Sequence, residues 1–399
     1  MLLLGWIRAE NWNGGGNDAL TMTNERKNVI IVRSRATDPT VEKFARSLSK
    51  NGFSVELLLW NRLETPLDKT SDGYSKRVLN FRTPQDRIQA VFFFPIWWIY
   101  EFFFLLRRDT DVIHAYDLDT LPPAVLIKLL KRKKLFYSIG DFYANNLPEG
   151  SFGSAGIVIR EFVARIERTL ARFADALFLV DETRVEELGG SRTSNVHIIY
   201  NSPPDCCSDG LCPSNNGKEE LVIFYAGVIS KQRGLDYMID AVEKMKNAKL
   251  LIAGTGPYVN RIKERASKSV CVEYLGWLRS YEDVIKLTQR ADLLFRFSDP
   301  RLPKTKYESP NKLFEAMMCG KPIIVTDNSS MADIVRKEQC GIVVPYGDVK
   351  AIETALSQLA DDEEMRDSLG LRGRAAYEEK YSWSIMEERL LGAYRDTCK

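Results

Sequence analysis

The stretch Tyr307-Glu-Ser-Pro-Asn-Lys-Leu-Phe-Glu-Ala-Met-Met-Cys-Gly-Lys-Pro322 holds the densest set of groups able to do chemistry in this chain. Ser309 suits a helix N-cap, Pro310 the first helical position and Gly320 a stop. A helix placed there leaves the N–H groups of Asn311, Lys312 and Leu313 without intrahelical acceptors, at the positive end of the helix dipole, where phosphate binds. Lys312 adds a full charge. Glu315, three residues on, offers a carboxylate to two ribose hydroxyls; read more plainly, Lys312 and Glu315 form an ordinary surface pair at helical spacing. A second candidate is the glycine-rich turn Tyr225-Ala-Gly-Val-Ile-Ser-Lys-Gln-Arg-Gly234. Gly227 admits a ligand close to the backbone, Lys231 supplies charge, and Arg233 can fork onto a diphosphate. Gly254-Thr-Gly-Pro257 and Gly276-Trp277 add two further turns.

These groups matter only if the chain brings them together, and the elements around them predict that it does. From Asn28 onward, short β-branched runs alternate with segments of helical periodicity. The strands read as Asn28–Arg33, Phe53–Leu59, Asp111–His114, Lys134–Ser138, Ala176–Val180 and Val196–Tyr200. Residues 201–218 are rich in Pro, Ser, Asn and Gly, and the alternation then restarts at Leu221. Two such series predict an α/β protein of two Rossmann-like parallel-sheet domains facing across a cleft. The divisions are an extension over 1–27, a first domain over 28–202, a linker over 203–218, a second domain over 219–380 and a final helix over 381–399 that crosses back to the first domain. Ligands bind at the carboxyl ends of such strands, which is where all the glycine turns fall.

Bulk properties narrow the function. A formal net charge of +2 over 399 residues carries no field suited to nucleic acid. The seven cysteines make no disulfide framework; Cys271, Cys319 and Cys340 read as core residues, and Cys206, Cys207 and Cys212 as linker residues, not a zinc site. A reducing cytoplasm fits. The segment Ile88–Leu106 is apolar, rich in Phe and Trp, and followed by Arg107-Arg108, with a second basic cluster at Lys131–Lys134. Pro95 and Glu101 argue against a membrane span. The choice is between a peripheral membrane contact through 88–108 and a greasy internal helix.

In the first half, His114 is expected at a strand end facing the cleft, either as a satisfied structural histidine or at an acceptor site. Asp117-Leu-Asp119 has the Asp-x-Asp spacing of some metal sites, a triplet common by chance, and no metal is expected there.

Taken with the Asp111–Pro122 segment, the Gly227–Gly234 and Gly254–Pro257 turns, the Ser309–Pro322 block and Tyr381-Ser-Trp383, the chain resembles the retaining glycosyltransferases of the GT-B fold, family-4 type. Within them it is similar to a subgroup with a Pro-x-Lys-Leu-Phe-Glu core. The resemblance implies transfer of a hexose from a nucleotide diphosphate sugar to a glycan or polyprenyl-linked acceptor, with retention of configuration and no metal or other cofactor. It puts the diphosphate on the helix N-terminus with Asn311, Lys312 and Leu313, and the ribose on Glu315. Gly227, Lys231, Arg233, Gly254 and Trp277 complete the donor site, while Asp117, Asp141, His114 and Glu308 are the catalytic candidates. The sequence departs from the family at three points: the first residue of its acidic pair falls on Tyr307, one position from Glu308; its Gly-Arg pair reads Gly227-Val228; and its active-site His falls near Gly140, followed by Asp141. Those departures keep open a non-catalytic subunit of the same fold, or a nucleotide-sugar epimerase. The expected location is cytoplasmic and peripheral to the membrane.

Overall fold

The computed structural model describes residues 26–64, 73–84, 89, 92–146, 155–189, 195–207, 220–308 and 311–398. Nearly all of the expected extension over 1–27, most of the linker over 203–218, Cys212, and the capping pair Ser309 and Pro310 lie outside the described residues.

The first sheet has seven parallel strands: β1 (Asn28–Arg33), β2 (Ser54–Asn61), β3 (Ser75–Asn80), β4 (Val112–Tyr116), β5 (Lys134–Ile139), β6 (Ala176–Leu179) and β7 (Val196–Ile198). Their order is β3-β2-β1-β4-β5-β6-β7. The second sheet has six parallel strands: β8 (Leu221–Val228), β9 (Ala248–Thr255), β10 (Val272–Gly276), β11 (Leu293–Arg296), β12 (Ile323–Thr326) and β13 (Gly341–Val344), in the order β10-β9-β8-β11-β12-β13. The expected architecture of two parallel-sheet α/β domains is therefore present. The strand order reverses between β1 and β4 in one sheet and between β8 and β11 in the other, and each switch point opens a crevice at the carboxyl ends of its strands.

Central strands such as Val-Ile-Ile-Val are legible because both faces are covered. On the first sheet, Val29, Ile31, Leu57 and Phe136 pack with the helix Pro39–Lys50, while their alternates Ile30, Val32, Leu58 and Tyr137 pack with the helices Phe94–Arg107 and Leu121–Lys131. β3 escapes the sequence reading. Its Ser-Lys-Arg-Val-Leu-Asn has no apolar run because it forms the sheet edge, paired only with β2.

The final helix, Trp383–Thr397, lies on the first domain. Tyr394 packs edge-on to Phe136 with ring centroids 4.6 Å apart, Tyr200 N–H donates to Met386 Sδ at 3.2 Å, and Asn195 donates to Thr397 at 3.1 Å. This arrangement corrects the placing of His114. β4 continues to Tyr116, so His114 stands mid-strand and fully buried, its Nδ1 2.7 Å from the Tyr394 hydroxyl and its Nε2 2.7 Å from Ser138 Oγ. It faces the closing helix, not the cleft. Burial holds its pKa down at about 3.

The apolar segment before β4 forms the helix Phe94–Arg107, and among the described residues no helix is long and apolar enough to cross a membrane. Its tryptophans belong to the interior: Trp97 stacks on Trp60 at 5.6 Å and is fully buried, and the Trp98 indole N–H donates to the Asp119 carbonyl at 2.9 Å. Exposure falls instead on Phe92, Ile96, Ile99, Phe103 and Leu106.

His114 gives the fold a specific acid sensitivity. In the unfolded chain the ring takes up a proton near pH 6.5; in the folded chain it stays neutral until about pH 3. Between those values the unfolded state binds the extra proton, so stability falls as pH drops through that window. At pH 5 the loss due to this one ring is about 2 kcal/mol. Urea unfolding at pH 7.5 and 5 should show a smaller acid loss for His114→Gln than for the wild type; equal losses would mean the ring titrates freely in the folded protein.

Candidate functional site

At the carboxyl edge of the second sheet, four segments converge. β8 runs into the Gly227–Gly234 turn, β9 ends at Gly254-Thr255, β11 ends at Arg296, and the helix Asn311–Met318 begins above them. The β8 and β9 ends touch backbone to backbone. A Cβ at Gly254, where φ is +135°, would sit 1.9 Å from the Gly227 carbonyl oxygen, so no other residue fits there.

Glu308 ties these segments together. Its Oε1 accepts from Arg233 Nη2 at 2.8 Å and Arg296 Nη2 at 2.7 Å, and its Oε2 from Arg233 Nη1 at 3.1 Å and Ser298 Oγ at 2.6 Å. Burial alone would raise its pKa; the two guanidiniums and the hydrogen bonds outweigh burial and hold it down at about 2. Arg233, expected on a diphosphate, thus has Glu308 and Ser298 as its partners. Lys231, in the same turn, is exposed.

The helix Asn311–Met318 buries Leu313 and Glu315 and leaves Asn311 exposed. Lys312 Nζ and Glu315 Oε2 form an ion pair in which the carboxylate is 2% exposed, so this is no ordinary surface pair. Glu315 also faces Tyr281, whose hydroxyl burial and the adjacent carboxylate keep protonated, and Lys43 of the first domain, whose pKa is lowered to about 8 by burial against the opposing pull of Asp38 and Glu315. Trp277, just past β10, is 70% exposed, an indole open to a ligand.

Across the cleft, the end of β1 meets the loop after β4. Arg33 pairs with Asp38 at 2.8 Å and with Asp117, and its guanidinium lies 4.5 Å from the Tyr116 ring centroid. Asp117 sits at φ 65°, ψ 164°, a conformation costly for a residue with a side chain, and its Oδ1 accepts from the Gly140 N–H at 2.9 Å. Burial pushes its pKa up, and Arg33 more than reverses that. Asp119 accepts from Ser34, and burial beside Asp117 raises its pKa. Asp117 is thus committed to protein partners, whereas Asp119 Oδ2 accepts from Ser34 and its Oδ1 is buried without a hydrogen-bond partner. Among the described residues no group of three or more His, Cys, Asp or Glu is placed to hold a metal ion. Asp141 is the open carboxylate of this rim: it is exposed and bonded to Arg184 at 3.2 Å. The two rims are linked where Lys306 donates to Glu186 at 2.7 Å, two residues from Glu308 on one side and two from Arg184 on the other.

Sequence reading did not single out Arg33, Ser34, Lys43, Arg184, Tyr281 or Arg296. Arg33 and Arg296 carried a usable signal, since each is a cation closing an apolar strand. Lys43 and Tyr281 carried none, because only the tertiary fold turns those helices toward Glu315. Glu308, a catalytic candidate in the sequence, is partly buried and has Arg233, Arg296 and Ser298 as its partners.

Known proteins resemble this chain in part of its sequence and in its fold. Residues 213–376 match the family described as Glycosyl transferases group 1. A curated relative, the GDP-mannose-dependent monoacylated alpha-(1-6)-phosphatidylinositol monomannoside mannosyltransferase of Corynebacterium glutamicum, is 32% identical over 165 residues, 40% of this chain and 43% of that one. The first curated relatives align over less than half of their own length. Among solved structures, the sucrose-phosphate synthase of Thermosynechococcus elongatus has a TM-score of 0.74 at 15% identity, covering 93% of this chain and 99% of that one. Anabaena HepE in complex with UDP-glucose has 0.67 at 13%, covering 92% and 99%. At those identities the structural likeness establishes the shared two-domain GT-B fold alone.

The Glu308 cluster yields a stability test. Glu308→Ala strands the buried Arg296 guanidinium and the partly buried one of Arg233, and should cost about 3–5 kcal/mol. Adding Arg233→Ala removes one of them, so the double variant should be less unstable than the sum of the singles. Denaturant unfolding decides it; a loss under about 1 kcal/mol would mark the cluster as a solvated surface network.

Proposed function

We propose that the protein transfers a hexose from a nucleoside diphosphate sugar to an acceptor hydroxyl, with retention of configuration. The observation that carries this reading is the start of the helix Asn311–Met318. There, the first-turn N–H groups, which have no acceptor within the helix, meet the Lys312 ammonium and the buried Glu315 carboxylate at the switch point of a parallel sheet. A diphosphate is matched by the N–H groups and Lys312, and a ribose by Glu315. The family match over 213–376, the GDP-mannose-dependent relative and the UDP-glucose complex of a neighbour of the same fold support the choice of donor.

In the proposed step, the bond between the anomeric carbon and the diphosphate oxygen breaks, and the acceptor oxygen bonds to that carbon on the same face. The departing phosphate oxygen takes the acceptor proton. Lys312 and the helix N–H groups stabilise the charge on the leaving diphosphate, so no metal is needed. Asp141, exposed and held by Arg184, orients an acceptor or sugar hydroxyl, and Asp117, neutralised by Arg33, holds the Gly140-Asp141 loop in place. The acceptor is a glycan or a lipid-linked saccharide, met at the cytoplasmic face of a membrane that the first domain touches through residues 88–108.

Calorimetric titration separates the two donor roles. Glu315→Gln should weaken nucleoside and nucleoside diphosphate alike by about 1–3 kcal/mol. Lys312→Ala should weaken the diphosphate far more than the nucleoside. Unchanged affinity in folded Glu315→Gln would remove the ribose assignment, and equal losses in Lys312→Ala would make that lysine structural. Transfer activity should survive EDTA; full loss restored by magnesium would return Asp117 and Asp119 to consideration as ligands.

A further inference from the structure

Thirteen of the twenty large apolar side chains that stand exposed among the described residues lie on, or within two residues of, three successive helices covering one face of the first sheet. On and just before Phe94–Arg107 they are Phe92, Ile96, Ile99, Phe103 and Leu106, at intervals of four, three, four and three residues. That spacing is a single outward stripe, where a surface helix ordinarily presents polar residues. The helix Leu121–Lys131 adds Leu126, Leu129 and Leu130, and the region of Ala155–Ala171 adds five more, Ile157 and Phe162 among them. A contiguous apolar surface of this extent marks an interaction site.

Beside the stripe runs a groove of about 720 Å³ between the edge strand β3 and the helix. Leu79, Phe81, Ile99 and Phe103 line it, and Arg107 and Arg108 stand at its end. The Arg107 guanidinium lies 5.4 Å from the Phe103 ring and that of Arg108 lies 5.0 Å from Phe104. More cations gather there. Arg77 and Arg108 share Glu56 at 3.3 and 3.4 Å, Lys131 Nζ donates to the Leu106 and Arg108 carbonyls at 3.0 and 2.7 Å, and Lys133 pairs with Asp109 at 3.2 Å. With Arg107, five cations gather about two carboxylates, Glu56 and Asp109.

We propose that this groove seats one acyl chain of an anionic phospholipid, with the lipid phosphate on Arg107 and Arg108 and the three-helix face lying in the membrane surface. The inference rests on the membrane contact in the reading above and gives it a lipid charge, a set of side chains and an orientation. The arginines lie just before β4 begins, at the edge of the sheet opposite the cleft. The seated lipid is therefore a docking partner and not the acceptor. A second copy of the chain is the poorer occupant, since it brings the same apolar face and no phosphate for Arg107 and Arg108.

Vesicle sedimentation of the full chain, with phosphatidylcholine alone or mixed with phosphatidylglycerol, tests the proposal. Wild type should bind the mixed vesicles at low salt and release from them as salt rises. Arg107→Ala/Arg108→Ala should bind them about tenfold more weakly and leave the thermal midpoint in place. Ile99→Asn/Phe103→Asn should not bind, while Leu371→Asn, an exposed leucine of the second domain, should bind as wild type does. Equal binding to neutral and anionic vesicles, or no binding at low salt, overturns the lipid seat, and so does a wild-type dimer that Ile99→Asn/Phe103→Asn dissolves. Binding of a nucleoside diphosphate, measured on the same samples, separates this outcome from the transfer reading: vesicle binding lost with nucleotide binding kept sinks the docking proposal alone, and the converse sinks the donor site alone.

Discussion

One carboxylate, Glu308, accepts four hydrogen bonds from Arg233, Arg296 and Ser298, and the second domain's ligand-facing edge is built around it. Arg233 belongs to the turn after β8, Arg296 and Ser298 to the end of β11, and Glu308 to the approach to the helix Asn311–Met318. These are the two strands between which the sheet order reverses, so the cluster fixes the width of the crevice at its switch point. Two guanidiniums against one carboxylate also leave this interior with a net positive charge, beneath the place where the proposed reading seats a diphosphate. The Ser330 hydroxyl donates to the Glu308 carbonyl at 2.8 Å, which carries the same anchoring to the helix Ser330–Glu338.

The first domain has a matching device built from the same residue types. Arg33 at the end of β1 binds Asp117 after β4, again across the point of reversal, and Asp117 holds the Gly140 amide at the start of the loop carrying Asp141. Two rims are thus each fixed by a buried arginine–carboxylate contact, and they approach one another where Lys306 meets Glu186. The helix Trp383–Thr397 fastens to the first sheet through Tyr394, which packs into that domain's core.

Much of this was legible in the sequence wherever burial on both faces of a sheet leaves an unbroken apolar run. β1, β5 and β6 sit within a residue of their expected places. β3 was not legible, because an edge strand that alternates exposed Ser75 and Arg77 with half-buried Lys76 and Val78 reads as loop. His114 was misplaced because β4 continues two residues beyond the apolar run that marked it. The apolar segment holding Trp97 and Trp98 left a membrane contact and an internal helix both open, because the stacking partner that buries Trp97 is Trp60 of β2, a strand distant in sequence. In the site, Lys312 and Glu315 were recognisable from spacing on one helix, whereas the partners of Arg233 and Asp117 come from distant segments and have no local signature.

The central claim is that the carboxyl edge of the second sheet, under the start of the helix Asn311–Met318, receives a nucleoside diphosphate sugar. Amide hydrogen exchange of the full chain with and without a panel of nucleoside diphosphate sugars tests this directly. Binding by the proposed site predicts that one member of the panel slows exchange in peptides covering 227–234, 254–258 and 311–316, with peptides of β1 to β3 unchanged. Protection confined to the first sheet's rim at 33–35 and 117–119, or protection by no member of the panel, would contradict it.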